Sequence, residues 1–158
     1  MNRKNATLVF FVCLFTVTAV TGAAAKNLAG QIAAPTNFVL ADPNTAEQVC
    51  FSWTPVTDPV AAVKYSVAIK VDVDVDQDGV VDVTSELDFS TNDYDVSISA
   101  TPISMCIPRS DIAEDINGDG IPEVLTGHAT AKVKGLNPGK GMGRQNNAFS
   151  TPIEFDLE

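Results

Sequence analysis

From about position 35 to the end of the chain, apolar residues alternate with polar ones, and no segment keeps them at i, i+3, i+4, i+7 for three turns. Runs of this kind fall at 37–41, 47–53, 63–73, 80–89, 100–108, 128–137 and 148–157. In "EQVCFSW" Val49, Phe51 and Trp53 share one face and Cys50 takes the other; in "VKYSVAIKVDV" the face is Val63, Tyr65, Val67, Ile69, Val71 and Val73. Ile103, Met105 and Ile107 line up with Cys106 opposite, and Ala129, Ala131 and Val133 line up with Lys132 and Lys134 outward. "VSIS" (96–99) reads as a further short strand or the tail of its neighbour. Pro, Gly, Asn and Asp separate the runs. The pattern predicts an all-β fold, an antiparallel Greek-key β-sandwich of about seven strands, with no domain repeat and no low-complexity linker.

The start of the chain follows another pattern. "MNRK" supplies positive charge, an apolar run covers 6–20, and Ala23 and Ala25 fit a small-residue cleavage site. This predicts a signal peptide over 1–25, a flexible lead-in over 26–34 and a single domain over 35–158. The apolar run is shorter than the ~20 residues of a spanning helix, so no membrane insertion is expected after cleavage. Cys13 lies inside the run and not at the cleavage point, which disfavours a lipoprotein. The expected location is secreted, extracellular or periplasmic.

Cleavage removes Arg3 and Lys4, leaving eight basic residues against 20 acidic ones, a formal charge of −12. That balance argues against nucleic acid and anionic membranes as partners, since both reward Lys and Arg. Cys50 and Cys106 remain, and an even count in an oxidising compartment suggests one disulfide.

"PTNFVL", "VCFSWTPV", "YSVAIKV", "AKVKGLNPGKG" and "NAFSTPIEF" together resemble the fibronectin type III fold, over about 35–155. The resemblance implies that the second and fifth strands are neighbours, so that Cys50 and Cys106 form a cross-strand bridge contributing roughly 3–5 kcal/mol. It also implies that the loop after the third strand and the loop between the fifth and sixth lie at one pole, leaving 54–62 and 137–147 at the other for contacts. The chain departs from the family at Ala129, where a Tyr is usual, and in a longer middle region, 72–127.

That middle region holds two acidic loops. Asp74, Asp76, Asp78, Gly79 and Asp82 spell D-x-D-x-D-G-x-x-D; Asp115, Asn117, Asp119, Gly120 and Glu123 spell D-x-N-x-D-G-x-x-E at the same spacing. Ca2+ takes six to eight hard oxygens, which alternating carboxylates on a sharply turning chain can supply together with the backbone carbonyls of Val80 and Ile121. The candidate calcium ligands are therefore Asp74, Asp76, Asp78, Val80 and Asp82 in one site and Asp115, Asn117, Asp119, Ile121 and Glu123 in the other. The loops resemble the first nine positions of an EF-hand loop. In the first loop the position of the final bidentate Glu is Ser85, with Glu86 one place late. Asp72 belongs to the preceding strand, while Asp111 and Glu114 add charge near the second loop. The alternative reading is two polar hairpin turns with charged edges. Magnesium rarely uses an all-protein carboxylate cage, and the loops' lack of His and Cys argues against zinc and copper.

Other motifs carry less. "GLNPGKGMGR" lacks the G-x-x-x-x-G-K-[ST] spacing of a phosphate loop. Lys132, Lys134, Lys140 and Arg144 form a small basic patch best read as solvated. His128 is the only histidine and has no evident nucleophile to serve, so no enzyme is expected. The sequence thus points to an exported, non-catalytic calcium-binding module that binds or adheres to a protein or polysaccharide partner. The alternative is a metal-free structural or assembly subunit of the cell envelope.

Overall fold

The computed structural model describes residues 32–42, 44–58, 61–137 and 147–158. The signal peptide, most of the lead-in and most of the 137–147 loop lie outside the described residues.

Two antiparallel sheets form the sandwich. The first has the order β1-β2-β5, from β1 (Thr36–Ala41), β2 (Gln48–Thr54) and β5 (Ile103–Pro108). The second has the order β4-β3-β8-β9, from β3 (Lys64–Val73), β4 (Val83–Ser90), β8 (Gly127–Leu136) and β9 (Ile153–Leu157). A two-residue pair, β6 (Ala113–Glu114) with β7 (Glu123–Val124), forms a separate ribbon before β8. The connections β2–β3 and β4–β5 cross between the sheets. The expected all-β antiparallel sandwich is the architecture of the protein, and its second and fifth strands are paired as anticipated.

The alternating faces become the core. Val49, Phe51 and Trp53 from β2, Tyr65, Val67, Ile69, Val71 and Val73 from β3, and Ile103, Met105 and Ile107 from β5 are all buried. Ala129, Ala131 and Val133 complete the opposite wall. Burial of this apolar surface is the main favourable term in folding. The rings of Trp53 and Tyr65 meet at 5.4 Å, and Tyr65 Oη accepts a hydrogen bond from the Val56 N–H at 2.8 Å. Cys50 and Cys106 are directly opposed in the β2–β5 register and are joined by a disulfide.

Four local expectations are revised. Val63 precedes β3 and is 47% exposed, so it leaves the core stripe. The "VSIS" stretch is neither a strand nor a strand tail. Residues 91–100 turn on local bonds, Asp93 N–H to the Ser90 carbonyl, Val96 N–H to that of Tyr94 and Ala100 N–H to that of Ser97. The final strand is confined to 153–157, while Phe149 makes only an isolated bridge to Lys134. Ile32, placed in the lead-in, is fully buried, so packing begins before position 35. Among the described residues no helix is long and apolar enough to cross a membrane.

Candidate functional site

Both acidic loops leave the sandwich at the same end. Loop 74–82 joins the end of β3 to β4, where Asp72 is in register with His128 near the start of β8. Loop 115–122 joins β6 to β7, and β8 begins three residues after β7 ends. The close approach of these segments demands Gly127: it has φ +133°, and a Cβ there would collide with the Asp72 carbonyl.

Five hydrogen bonds recur at matching positions in the two loops. At the first position Asp74 Oδ1 accepts from the Asp78 N–H at 3.2 Å and Oδ2 from the Gly79 N–H at 2.7 Å. Asp115 does the same toward Asp119 at 3.1 Å and Gly120 at 2.8 Å, and its Oδ1 also accepts from Gly118 at 2.7 Å. At the third position Asp76 and Asn117 each accept from the N–H two residues on, at 3.2 and 2.9 Å. At the fifth, Asp78 accepts from Val80 and Asp119 from Ile121, both at 2.8 Å. At the ninth, Asp82 accepts from Val75 at 2.8 Å and Glu123 from Ile116 at 3.1 Å. The backbone repeats as well. The glycines at the sixth position have φ +89° (Gly79) and +85° (Gly120), and the fourth position is also left-handed, at +61° (Gln77) and +78° (Gly118). Sequence reasoning missed this fourth position. Gly118 hinted at it, but Gln77 gives no such signal, because a glutamine enters this region only under constraint.

Acceptor bonds on alternate residues wrap the chain around its own carboxylates. In the first loop one oxygen from each of Asp74, Asp76 and Asp78 lies within 4.8 Å of the others; in the second the same holds for Asp115, Asp119 and Glu123. Each group can hold a metal ion, because like charges this close are relieved by a shared cation. Asp82 is not within the first group; its Oδ2 accepts the Val75 N–H. Asn117 Nδ2 donates to Glu123 Oε1, joining two predicted ligands of the second loop. Val80 and Ile121 expose their side chains, at 61% and 66%, with their backbones in the loop wall.

Asp72 lies outside the group, as its strand position implies. Lys70 Nζ reaches both of its oxygens, at 2.7 and 2.9 Å, and Thr84 Oγ1 donates at 2.7 Å. The Lys70 hydrogen bonds, followed by that of Thr84, hold its carboxyl below the usual carboxylate range. Near the second loop, Tyr94 Oη donates to Asp111 at 3.0 Å. Burial, and then this acceptor, push the phenol upward from its ordinary value.

No family model matches the chain, and no curated protein matches it. What fold and site define is a class: an antiparallel β-sandwich with an internal disulfide and two acidic, metal-capable loops at one end.

Proposed function

We propose that the protein is an exported, non-catalytic calcium-binding module of the fibronectin type III-like type. Its calcium ions are structural, and its role is to bind or adhere to a surface protein or polysaccharide. The observation that carries this reading is the recurrence of five loop hydrogen bonds at matching positions, together with the left-handed fourth and sixth positions. Two unrelated polar turns have no reason to share five hydrogen bonds on four acceptor positions and two unusual backbone conformations. Hard carboxylate and amide oxygens without His or Cys fit calcium among the common metals. Sheet orders β1-β2-β5 and β4-β3-β8-β9 agree with the resemblance, and the disulfide agrees with an oxidising compartment.

Calcium stabilises by binding the folded state alone, about 2.7 kcal/mol per site at a hundredfold excess over Kd. Thermal melts in calcium and in chelator test this, with isothermal titration giving the number of ions. A melting temperature indifferent to calcium would sink the proposal. A second reading, a metal-free assembly subunit, draws on one observation: every loop carboxylate already accepts a backbone N–H, so the turns are internally satisfied.

A further inference from the structure

Asn117–Gly118 is the one Asn-Gly step in the 158-residue sequence, and both residues are exposed. It lies in the second acidic loop, and the features that set this loop apart from the first converge on it. Asn117 stands where the first loop has Asp76, and Gly118 where it has Gln77. Asp115 Oδ1 accepts the Gly118 N–H at 2.7 Å, whereas Asp74 accepts only from Asp78 and Gly79. Asn117 Oδ1 accepts the Asp119 N–H at 2.9 Å, and its Nδ2 donates to Glu123 Oε1. The peptide nitrogen of Gly118 and both ends of the Asn117 amide are therefore each held by a group of the opposite hydrogen-bonding kind.

These contacts are the parts of an intramolecular acyl transfer. The Gly118 nitrogen is the nucleophile, and the Asp115 carboxylate that receives its N–H is placed as a general base. The Asn117 side-chain carbonyl is the electrophile, and the Asp119 N–H on its oxygen is placed to stabilise the oxyanion that develops there. Glu123 acts as a positioning residue, because its bond to Nδ2 turns Oδ1 toward Asp119. Ring closure uses only atoms of Asn117 and Gly118, and open space lies where a Cβ would otherwise obstruct it. The bond from Gly118 N to Asn117 Cγ forms, the Cγ–Nδ2 bond breaks, and the proton taken up by Asp115 leaves with Nδ2 as ammonia. A water then opens the resulting succinimide. Cleavage of the new bond leaves aspartate in a normal backbone, and cleavage of the original peptide C–N bond leaves isoaspartate. Water is the sole reactant, and nothing is oxidised or reduced.

We infer that Asn117 is a self-modification site, converted by its own loop to aspartate or isoaspartate. The conversion itself does not depend on calcium binding, but its product bears on that reading. Aspartate at 117 gives the second loop carboxylates at its first, third and fifth positions, as Asp74, Asp76 and Asp78 give the first. The test incubates the folded chain at neutral pH in chelator and in calcium. Its readouts are ammonia release, the mass of the tryptic peptide 110–132 and an isoaspartate methyltransferase assay. That peptide contains Asn117 and no other asparagine or glutamine, so an amide-to-acid mass gain in it reports this residue alone. In chelator the peptide is expected to gain that mass, with ammonia released in equal amount. Calcium should slow the conversion roughly tenfold or more, because a carboxylate engaged by the ion cannot take the proton. Asp115→Asn should slow it by a similar factor, roughly tenfold or more, in chelator. Should that variant lose the loop, Gly118→Gln decides: it installs the residue that the first loop carries at this position, and it should halt the mass gain with Asp115 intact. An unchanged peptide mass in chelator, an Asp115→Asn variant with an intact loop that converts as fast as the parent, or undiminished conversion in Gly118→Gln would each overturn the inference. So would equal rates in calcium and chelator in a protein whose melting temperature responds to calcium. If the calcium-dependent melt persists and Asn117 stays intact, only this inference falls; if Asn117 converts and the melt ignores calcium, only the calcium reading falls.

Discussion

The loops at 74–82 and 115–122 share five internal hydrogen bonds but have different mountings. The first bridges β3 and β4, which are in register over eight residue pairs. The second tips a ribbon of two pairs, Ala113 with Val124 and Glu114 with Glu123. The first therefore inherits its shape from a sheet, whereas the second must hold its shape largely by itself. The chemistry compensates in that direction. Asp115 accepts three backbone N–H bonds where Asp74 accepts two, and the ninth position is a Glu whose extra methylene brings its carboxylate into the acidic group, which Asp82 does not join. A loop with less scaffold relies more on its side chains.

Alanine at the first position tests this contrast most severely. Asp115→Ala should abolish one calcium site in titration and cost the ion-free loop about 1–2 kcal/mol, whereas Asp74→Ala should abolish the other site at a smaller cost to the ion-free protein. Chemical denaturation in chelator separates the two costs, and equal values would remove the distinction between mountings. Exchanging the ninth position is gentler. Asp82→Glu should tighten the first site, and Glu123→Asp should weaken the second, each by roughly tenfold. Calorimetry that finds both changes in the same direction would break the argument from side-chain length. Smaller again is the fourth position: Gln77→Gly removes a left-handed glutamine and should stabilise the ion-free protein by about 0.5–1 kcal/mol, with Gly118→Gln acting oppositely.

The smallest effect concerns acid. The first loop has Asp72 two residues before it, where the second has Ala113. Asp72's folded pKa is depressed below its ordinary value of 3.8, so its stabilisation is complete above that value and is lost as pH falls through the folded pKa. Asp72→Asn should therefore flatten the acid end of the stability profile and leave it unchanged in slope near neutrality. An unchanged acid limb would show that the Lys70 and Thr84 contacts do not act in solution.

Strong alternation made most of this fold readable in advance. The stripes on β2, β3, β5 and β8 are long enough for a two-residue period to be unmistakable, and they delivered the core residues and the separate phase of the two cysteines, which face each other across β2 and β5. Where the pattern is short, it misleads or falls silent. Val96 and Ile98 alternate, yet turns at Asp93 and Ala100 satisfy the backbone locally and leave no ladder to join. Strands of two residues, "AE" and "EV", have no period at all, so the β6–β7 ribbon was illegible. The acidic spacing was legible because ligand geometry fixes it, whereas the shortfall at Asp82 depends on a side chain's reach. Arg109 had no signal: burial of an arginine depends on three segments meeting around it, those at 109, 125 and 158.

The Cys50–Cys106 bridge has a mechanical consequence. It closes a covalent ring across 56 positions, and the first acidic loop lies inside that ring while the second lies outside. Tension applied to the chain from both sides passes through the bridge and bypasses the ring, shielding a contour of roughly 190 Å from extension. The first loop would keep its shape under load, while the second sits on the stretch of backbone that carries the force.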